Sequence, residues 1–510
     1  MIGDLTIASG QVFTFTVLLY ILIGVFIGYL VGALPGMNRA TALALLLPFT
    51  FSLSPLVALC FLIGVNKGGA AGSAVSAILI NVPGEPSSVV TTLDGYPMTR
   101  QGKSQKALKI GLFSSVAGDI IATLVLILLA VPLAAVAVGI GSVDLSAIII
   151  FAITFIAAVS GDSFVKGIIS GLLGLMLASV GLDSETGLPR LTFGFIQLYD
   201  GIPLLAIAIG TLALSEILVQ IDRGWRGNYH HKAEQLKAEK PEDKRLSLAE
   251  FRALLPSIFR GSAVGTVIGI LPGLGATLSS FLAYTWTRKA SKTPEKFGHG
   301  APEGVAAAES ADNASVPASL IPVFAIGLPG SLATALLMGA FLLHGMTPGP
   351  FLFQEDAVLV YGIFMGMIVA SLTLLLVGLA GQAFFARIIL VRDTVIMPVI
   401  VFFCIVGAYL DGGSMFSVYL MLIFGFVGYF MKKLDFSFVT FVVGYILGPM
   451  AELRLRQAVI VTDANPMALL NHPVALLFLL AAVISVWRYG SMHMLKMSGG
   501  RKARKTGREE

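Results

Sequence analysis

The sequence has little charge and almost no cysteine, and both shortages limit the class of protein. Only 12% of its 510 residues are charged, which is about half of the share in a typical soluble domain. The two cysteines, Cys60 and Cys404, lie in apolar stretches, so neither a disulfide framework nor a zinc site is indicated. The first residues lack the basic segment of a signal peptide, and we expect the N-terminal apolar stretch to be retained.

Motifs of catalysis and of nucleotide binding are absent from the sequence as well. It contains no HExxH, no GxSxG and no GxxxxGK[ST] phosphate loop, and only six histidines. A membrane-embedded enzyme is therefore the least favoured function. The net charge of +5 and the pI near 9.1 come mostly from basic residues in loops beside apolar segments. Such residues are typical of membrane topology signals, so nucleic-acid binding is not expected.

Apolar residues make up 56% of the chain, and its mean hydropathy is +0.88. Apolar runs such as 13–34, 110–140 and 474–486 approach the roughly 20 residues with which a helix crosses a bilayer. The ten-residue alternating strands of a membrane barrel are not found. The sequence therefore predicts an all-α polytopic membrane protein embedded in a lipid bilayer.

One phrase occurs twice, at 24–41 and at 261–277, and each copy has a glycine at every fourth position before Leu-Pro-Gly. The glycines are Gly24, Gly28, Gly32 and Gly36 in the first copy, and Gly261, Gly265, Gly269 and Gly273 in the second. Glycines with this spacing form one stripe of a helix, where backbones approach closely in lipid. Proline then breaks the helix. The predicted helix-break motifs are Gly32, Pro35 and Gly36, and Gly269, Pro272 and Gly273.

A second repeated segment lies downstream, where residues 66–88 align without gaps with residues 312–334. The alignment places Pro83-Gly84 on Pro329-Gly330 and Ser73 on Ser319. We interpret both segments as helices broken at Pro-Gly or as re-entrant hairpins. The predicted organisation is a first membrane repeat at 1–222, a charged cytoplasmic linker at 223–256, a second membrane repeat at 257–458, and a final membrane helix with a basic cytoplasmic tail at 459–510.

Loop charges predict that the two repeats have inverted topology. Residues 100–109 contain four basic side chains, whereas the corresponding loop around 354–356 contains none. Residues 288–296 are basic, and their counterpart at 52–55 is uncharged. Because cytoplasmic loops are enriched in Lys and Arg, we expect the linker in the cytoplasm and the N-terminus in the periplasm.

Hydroxyl and amide side chains cluster around the second pair of Pro-Gly breaks. A helix that restarts there presents free N–H groups that suit a carboxylate, and the carbonyl groups before it suit a cation. The predicted substrate-binding residues are Ser73, Ser76, Asn81, Pro83, Gly84, Ser87 and Ser88 in the first repeat, and Asn313, Ser319, Pro329, Gly330, Ser331 and Thr334 in the second. The alternative is that the Pro-Gly pairs only kink helices for packing.

Ionisable residues at membrane depth are further candidates, since charge there is costly and mostly functional. The candidates for ion coupling or gating are Lys67, Asp94, Asp119 and Asp312. If the repeats are related by symmetry, Lys67 and Asp312 form an ion pair or cation gate; otherwise they lie at segment ends near water. Arg39 either pairs with a substrate carboxylate or lies at the membrane interface. Asp94 and Glu85 flank the second break, where capping of a loop is as favoured as ion binding.

Along nearly its whole length, the chain resembles the large membrane subunit of the tripartite tricarboxylate transporter family. The resemblance rests on GxxxGxxxGxLPG at 24–36 and 261–273, AILINVPGEPSSVVTTLDGYP at 77–97, IPVFAIGLPGSLATALLMGA at 321–340 and HGMTPGP at 344–350. It implies a secondary carrier of the bacterial inner membrane that imports carboxylates, driven by a cation gradient rather than by ATP. It also implies two partners, a periplasmic solute-binding protein and a small membrane subunit. No cofactor or metal is implied beyond the coupling cation, Na⁺ or H⁺.

The chain departs from this family at two places in the predicted site. Family members often have Tyr-Gly-Gly-Ser where this chain has Ala-Gly-Ser-Ala at 71–74, and Asn-Asn-Ala where it has Asp312-Asn313-Ala314. The carboxylate and the coupling ion therefore stay open. The sequence predicts a cation-coupled carboxylate importer, with a passive anion channel as the alternative.

Overall fold

A computed structural model of the chain describes residues 2–34, 37–159, 163–183, 185–222, 243, 245–271, 275–388 and 393–488. Four residues of the predicted helix-break motifs, Pro35, Gly36, Pro272 and Gly273, lie outside these ranges, as does most of the predicted linker. Within the described ranges, strand pairing is confined to β1 (Gly181–Leu182) and β2 (Pro189–Arg190), which are antiparallel. The protein is otherwise built from helices.

The first run of helices extends to Asp222. It consists of α1 (Ile2–Val12), α2 (Phe15–Ala33), α3 (Arg39–Leu46), α4 (Pro55–Ile80), α5 (Val89–Arg100), α6 (Ser104–Ala137), α7 (Ser142–Val159), α8 (Phe164–Ala178), α9 (Leu204–Ala208) and α10 (Ser215–Asp222). A π-helical segment, Ile209–Leu214, joins α9 to α10.

The second run of helices begins inside the segment 223–256 that the sequence assigns to the linker. It consists of α11 (Leu248–Ile270), α12 (Gly275–Ala290), α13 (Pro302–Ala318), α14 (Ile321–Ile326), α15 (Leu332–Leu343), α16 (Leu352–Glu355), α17 (Ala357–Ile388), α18 (Asp393–Gly412), α19 (Met415–Lys433), α20 (Phe438–Val461) and α21 (Pro473–Arg488). The start of α11 is fixed by Ser247, whose hydroxyl accepts a hydrogen bond from the Glu250 N–H while the Glu250 carboxylate accepts one from the Ser247 N–H. This reciprocal pair is the capping box expected of a stable helix start.

Eight helical segments in the described part of the chain are long and apolar enough to cross a membrane. They are Phe15–Ala33, Pro55–Ile80, Ser104–Ala137, Leu204–Asp222, Leu248–Ile270, Ala357–Gln382, Met415–Lys433 and Phe438–Val461. Shorter apolar helices lie between them, and a further one, the predicted final helix Pro473–Arg488, follows the last of them. The predicted all-α polytopic membrane protein is thereby confirmed.

The glycine stripe of α2 lies against the backbone of α4. A Cβ atom at any of its three described glycines would lie 2.2 or 2.3 Å from a carbonyl oxygen of α4. The facing residues are Phe61 for Gly24, Val65 for Gly28 and Gly69 for Gly32. The stripe of α11 contacts α13 at the aligned positions, Ala307 for Gly261, Ala311 for Gly265 and Ser315 for Gly269. The predicted close helix packing is confirmed in both copies, because no side chain larger than hydrogen fits at these positions.

The two runs share one core rather than forming two separate bundles. Helix α6 of the first run packs against α13 of the second, and α17 of the second packs against α4 of the first. Every residue from Leu56 to Ile80 of α4 is buried, as is every residue from Gly304 to Ala318 of α13. These two helices therefore form the centre of the molecule, and each leads into a Pro-Gly segment.

The β1–β2 hairpin is tied to α20 by charged side chains. Arg456 contacts Asp183 at 2.6 Å and Arg190 contacts Glu452 at 2.6 Å. The Arg456 side chain, together with the N–H groups of Thr186 and Glu185, holds the pKa of Asp183 well below its usual range. These ion pairs hold the loop that precedes α9 against α20.

Candidate functional site

The chain turns in the same way at both Pro-Gly segments. Helix α4 ends at Asn81, which adopts a left-handed conformation with φ 59°, and α14 ends at the aligned Gly327 with φ 72°. Glycine adopts this conformation without steric cost, and asparagine is one of the few other residues that tolerates it. The helix restarts through the 3₁₀ turn Pro86–Ser88 and α5 in the first repeat, and through α15 in the second. Ser331 caps α15 by a reciprocal pair of hydrogen bonds with Thr334.

The glycines of both Pro-Gly pairs pack against aligned serines, Ser73 within α4 and Ser319 at the end of α13. A Cβ atom at Gly84 would lie 3.1 Å from the Ser73 Cα and 2.6 Å from the Gly32 oxygen. A Cβ atom at Gly330 would lie 3.0 Å from the Ser319 Cα and 2.8 Å from its oxygen. Each break therefore folds back onto its own helix, and the aligned serines form the surface that receives the glycine.

A cavity of about 600 Å³ lies between the two Pro-Gly segments. Residues at the start of four helices line it: Asn38 and Arg39 at α3, Pro86 and Ser87 ahead of α5, Gly275 and Ala276 at α12, and Gly330, Ser331 and Leu332 at α15. The N-terminus of a helix carries unpaired N–H groups and a partial positive charge. All four repeated breaks thus direct a helix start toward one space, an arrangement that suits a negatively charged ligand.

Arg39 is the basic side chain of this cavity. Its backbone N–H donates to the Glu85 Oε1 at 2.8 Å, and its Nε lies 3.4 Å from the Glu85 Oε2. Its Nη1 lies 3.9 Å from the Asp312 Oδ1 but has no hydrogen-bond partner among the described residues. The Arg39 side chain is 12% exposed. This guanidinium is held between two carboxylates while it keeps an unused donor.

Glu309 and Asp312 lie side by side on α13 behind the cavity. Glu309 is fully buried and accepts hydrogen bonds from the Thr91 hydroxyl at 2.5 Å and the Ser115 hydroxyl at 3.0 Å. Asp312 is 1% exposed, and its Oδ2 accepts a hydrogen bond from the Ser87 hydroxyl at 3.0 Å. We call these two residues the α13 acidic pair. Among the described residues, every side-chain hydrogen-bond donor to this pair comes from the first repeat.

The predicted ion pair between Lys67 and Asp312 is wrong. The Lys67 Nζ lies 2.7 Å from the Asp119 Oδ2 of α6 and also donates to the Thr123 hydroxyl. Two atoms of α17 complete its surroundings, the Met367 oxygen at 3.0 Å and the Ser371 Oγ at 2.9 Å. Lys67 is 1% exposed, so the alternative of a position near water is also wrong. Lys67 contacts α6 and α17, whereas Asp312 faces Arg39.

Asp94 caps a loop. Its Oδ1 accepts hydrogen bonds from the N–H groups of Gly298, Gly300 and Ala301 at 2.8 to 2.9 Å. These groups immediately precede α13, and an acidic side chain there stabilises the start of the helix. Of the two roles open for Asp94, the structure therefore shows loop capping, and the cap joins α5 of the first repeat to α13 of the second.

The predicted substrate-binding residues occupy three kinds of position. Ser87, Gly330 and Ser331 line the cavity, and Ser319 lies in a small adjoining pocket with Arg39. The buried residues Ser73, Ser76, Gly84, Ser88, Asn313, Pro329 and Thr334 lie behind this surface. The Ser73 and Ser88 hydroxyls bond to each other at 2.6 Å, and the Asn313 amide donates to Ser115. Asn81 is exposed and Pro83 is partly exposed at the end of α4.

Glu309 was not among the residues predicted from the sequence. Its signal was available, because an acidic residue three positions before Asp312 lies on the same face of a helix. The surrounding segment PEGVAAAESADNASVPA is rich in alanine and serine, so it does not stand out as an apolar span. The burial of this glutamate follows only from the packing of α13 between α6 and α11.

Comparison with known proteins identifies the family. The family model of the tripartite tricarboxylate transporter TctA family matches residues 18–443. An Agrobacterium vitis protein, described as an uncharacterized 52.8 kDa protein in the TAR-I ttuC' 3' region, is 34% identical over 475 residues, which cover 93% of both chains. A second protein of that organism, described as uncharacterized and in the TAR-II ttuC' 3' region, is 35% identical over 211 residues, or 41% of this chain and 87% of its own. No solved structure matches. The chain is therefore a multi-pass membrane protein of the tripartite tricarboxylate transporter TctA family, a family of transporter components rather than of enzymes.

Proposed function

We propose that this chain is the permease subunit of a binding-protein-dependent secondary transporter that imports a carboxylate across the bacterial inner membrane. A sodium or proton gradient drives the import. The two partners in this proposal are a periplasmic solute-binding protein, which delivers the carboxylate, and a small membrane subunit. The family name supports an assembly of several components, and the identities of these partners belong to the proposal.

The observation that carries this proposal is the meeting of four helix starts at one cavity beside Arg39. Carboxylates are bound by N–H groups at helix N-termini and by guanidinium groups. Broken helices in matched positions of two repeats are typical of the substrate site of a secondary transporter. The residues that we expect to contact the carboxylate are Arg39, Ser87, Ser319, Gly330 and Ser331.

The proposal includes an inverted relation between the two repeats. The contrasts in loop charge between the two repeats support the inversion, and the matched order of broken helices supports the repeat itself. Inverted repeats allow one half to move against the other so that a site between them opens to either side in turn. Here the cavity lies between the two repeats, which is where such a site is expected.

The proposal is tested by uptake into proteoliposomes that contain this chain, the small membrane subunit and the cognate solute-binding protein. Radiolabelled citrate, malate and succinate are supplied in separate reactions with an imposed sodium gradient, an imposed proton gradient, or neither. We expect at least one carboxylate to accumulate against its concentration gradient, with a saturable rate, and only when the binding protein is present.

Two results would contradict this function. Uptake that continues after both gradients are collapsed would show that transport is not coupled to either ion. A rate that rises in proportion to carboxylate concentration without saturation would indicate a passive channel. As a control, the same liposomes lacking this chain must show no uptake.

A further inference from the structure

The α13 acidic pair carries more negative charge than its surroundings balance. Glu309 and Asp312 are three residues apart on one helix, so their side chains are neighbours. Glu85 adds a third carboxylate. Among the described residues, Arg39 is the one basic side chain within ion-pair distance of Glu85 and Asp312, and none is within that distance of Glu309. Lys67 does not contribute, because Asp119 already balances it. Three carboxylates therefore share one guanidinium inside the membrane protein.

The hydrogen bonds of the pair are also incomplete. Among the described residues, the Glu309 carboxylate accepts hydrogen bonds only from the neutral hydroxyls of Thr91 and Ser115. The Asp312 Oδ1 is buried and has no hydrogen-bond partner among the described residues. A buried, unpartnered carboxylate oxygen is costly, and two neighbouring carboxylates at low dielectric do not both stay charged. A bound proton removes one of these charges and so lowers the cost of burying the pair.

We propose that Glu309 and Asp312 form the proton-binding site that couples transport to a proton gradient. This inference rests on the proposed function and specifies its coupling ion. The titratable and charged groups that face the pair are Glu85, Arg39 and the Tyr29 phenol of α2. Arg39 is the basic group of this set, and it makes no ion pair with Glu309 in the described part of the chain. One proton shared by the pair therefore leaves one of the two carboxyl groups uncharged.

The local geometry suits a proton better than a metal ion. Both Glu309 oxygens are occupied by hydroxyl donors in a fully buried position. A proton needs no additional space, whereas a cation needs several oxygen ligands around an open centre.

Ser87 and Arg39 connect the acidic pair to the cavity. Both residues line the cavity, Ser87 donates to Asp312, and Arg39 lies beside Asp312. A carboxylate that enters the cavity competes with Asp312 for the Arg39 guanidinium. The charged form of Asp312 then loses its neighbouring positive charge, so anion binding and proton binding favour each other. This reciprocity is the condition for symport.

The test compares Glu309→Gln and Asp312→Asn with wild type in the complete proteoliposome system without sodium. Proton entry is followed with a pH-sensitive dye inside the liposomes, using the carboxylate of the panel that gives uptake. Wild type is expected to acidify the lumen as the carboxylate enters. In Glu309→Gln, acidification is expected to fall to the level of protein-free liposomes, while exchange of labelled for unlabelled carboxylate remains measurable. The matched controls are Glu355→Gln and Asp356→Asn, which alter exposed carboxylates and should leave acidification unchanged.

The exchange measurement separates the possible failures. If Glu309→Gln loses both exchange and acidification and its elution on gel filtration also changes, the loss is assigned to misfolding. In that case, the acidification measured with Asp312→Asn decides whether the inference holds. The inference is overturned if both variants still carry protons in with the carboxylate as wild type does. It is also overturned if wild type accumulates the carboxylate with sodium alone and without acidification, an outcome that leaves the carrier function intact. If wild type shows neither uptake nor exchange, the proposed function itself fails.

Discussion

At the scale of single residues, the Lys67–Asp119 pair shows how charge is tolerated in the interior of this protein. Lys67 uses four oxygen partners, and three of them are side chains. A buried ion pair is costly to desolvate, but a single buried charge without its partner costs more. Its net charge is zero, in contrast to the α13 acidic pair. Burial alone therefore does not mark a proton site, and charge balance separates the two clusters.

We expect Lys67→Met and Asp119→Leu each to lower the free energy of unfolding by about 3–5 kcal/mol, because each leaves a buried charge without its partner. The double variant should recover most of that loss. Thermal unfolding of the purified protein in detergent measures all three as changes in Tm. A double variant as unstable as the sum of the single ones would show that the pair does not act as a unit.

At the scale of elements, the two Pro-Gly segments are rigid turns whose glycines are fixed by contact. Gly84 lies against Gly32 and Ser73, and Gly330 lies against Ser319. A valine at either position would push the break away from its helix and displace the helix start at the cavity. The break segments are thus positioned by backbone packing rather than by their hydroxyl groups.

Gly84→Val and Gly330→Val are expected to lower carboxylate uptake at least about tenfold, since small displacements of a binding group cost large factors in rate. Membrane insertion is expected to persist, because the long spanning helices are unchanged. Gly10→Val is the control, since Gly10 has no neighbouring atom within 4 Å of an added Cβ. Normal uptake by either break variant would remove the reason for placing the site at these segments.

Much of this arrangement follows from the sequence, because it is carried by local patterns. The spacing of Gly24, Gly28 and Gly32 defines a helix face without side chains, and the structure confirms that this face packs closely. The partners of Lys67 and the burial of Glu309 did not follow, because they depend on contacts between α4, α6, α13 and α17 that lie far apart in the chain. The repeat suggested Asp312 as the partner of Lys67, but α6 supplies a nearer carboxylate in Asp119.

At the scale of the whole molecule, the predicted membrane topology can be tested directly by labelling single cysteines. Single cysteines at Lys103 and Lys292 are expected to react with a membrane-impermeant thiol reagent only after the cells are opened, and one at Glu355 is expected to react from the periplasmic side. The native Cys60 and Cys404 are both buried, so background labelling should be low. Equal accessibility of positions 103 and 355 from the periplasm would contradict the inverted arrangement.

The mutual packing of the two runs also has a consequence for biogenesis. When the ribosome has finished α6, Lys67 and Asp119 are already in the membrane, but the Met367 and Ser371 atoms that complete the Lys67 site have not been made. The hydroxyls of Ser87, Thr91 and Ser115 likewise lack their hydrogen-bond acceptors at that stage, because the carboxylates of α13 have not yet been made. The first repeat therefore inserts with polar groups that its own helices do not satisfy. Completion of these buried sites therefore has to follow synthesis of α17, and a chain that stops at the linker leaves their polar groups without partners.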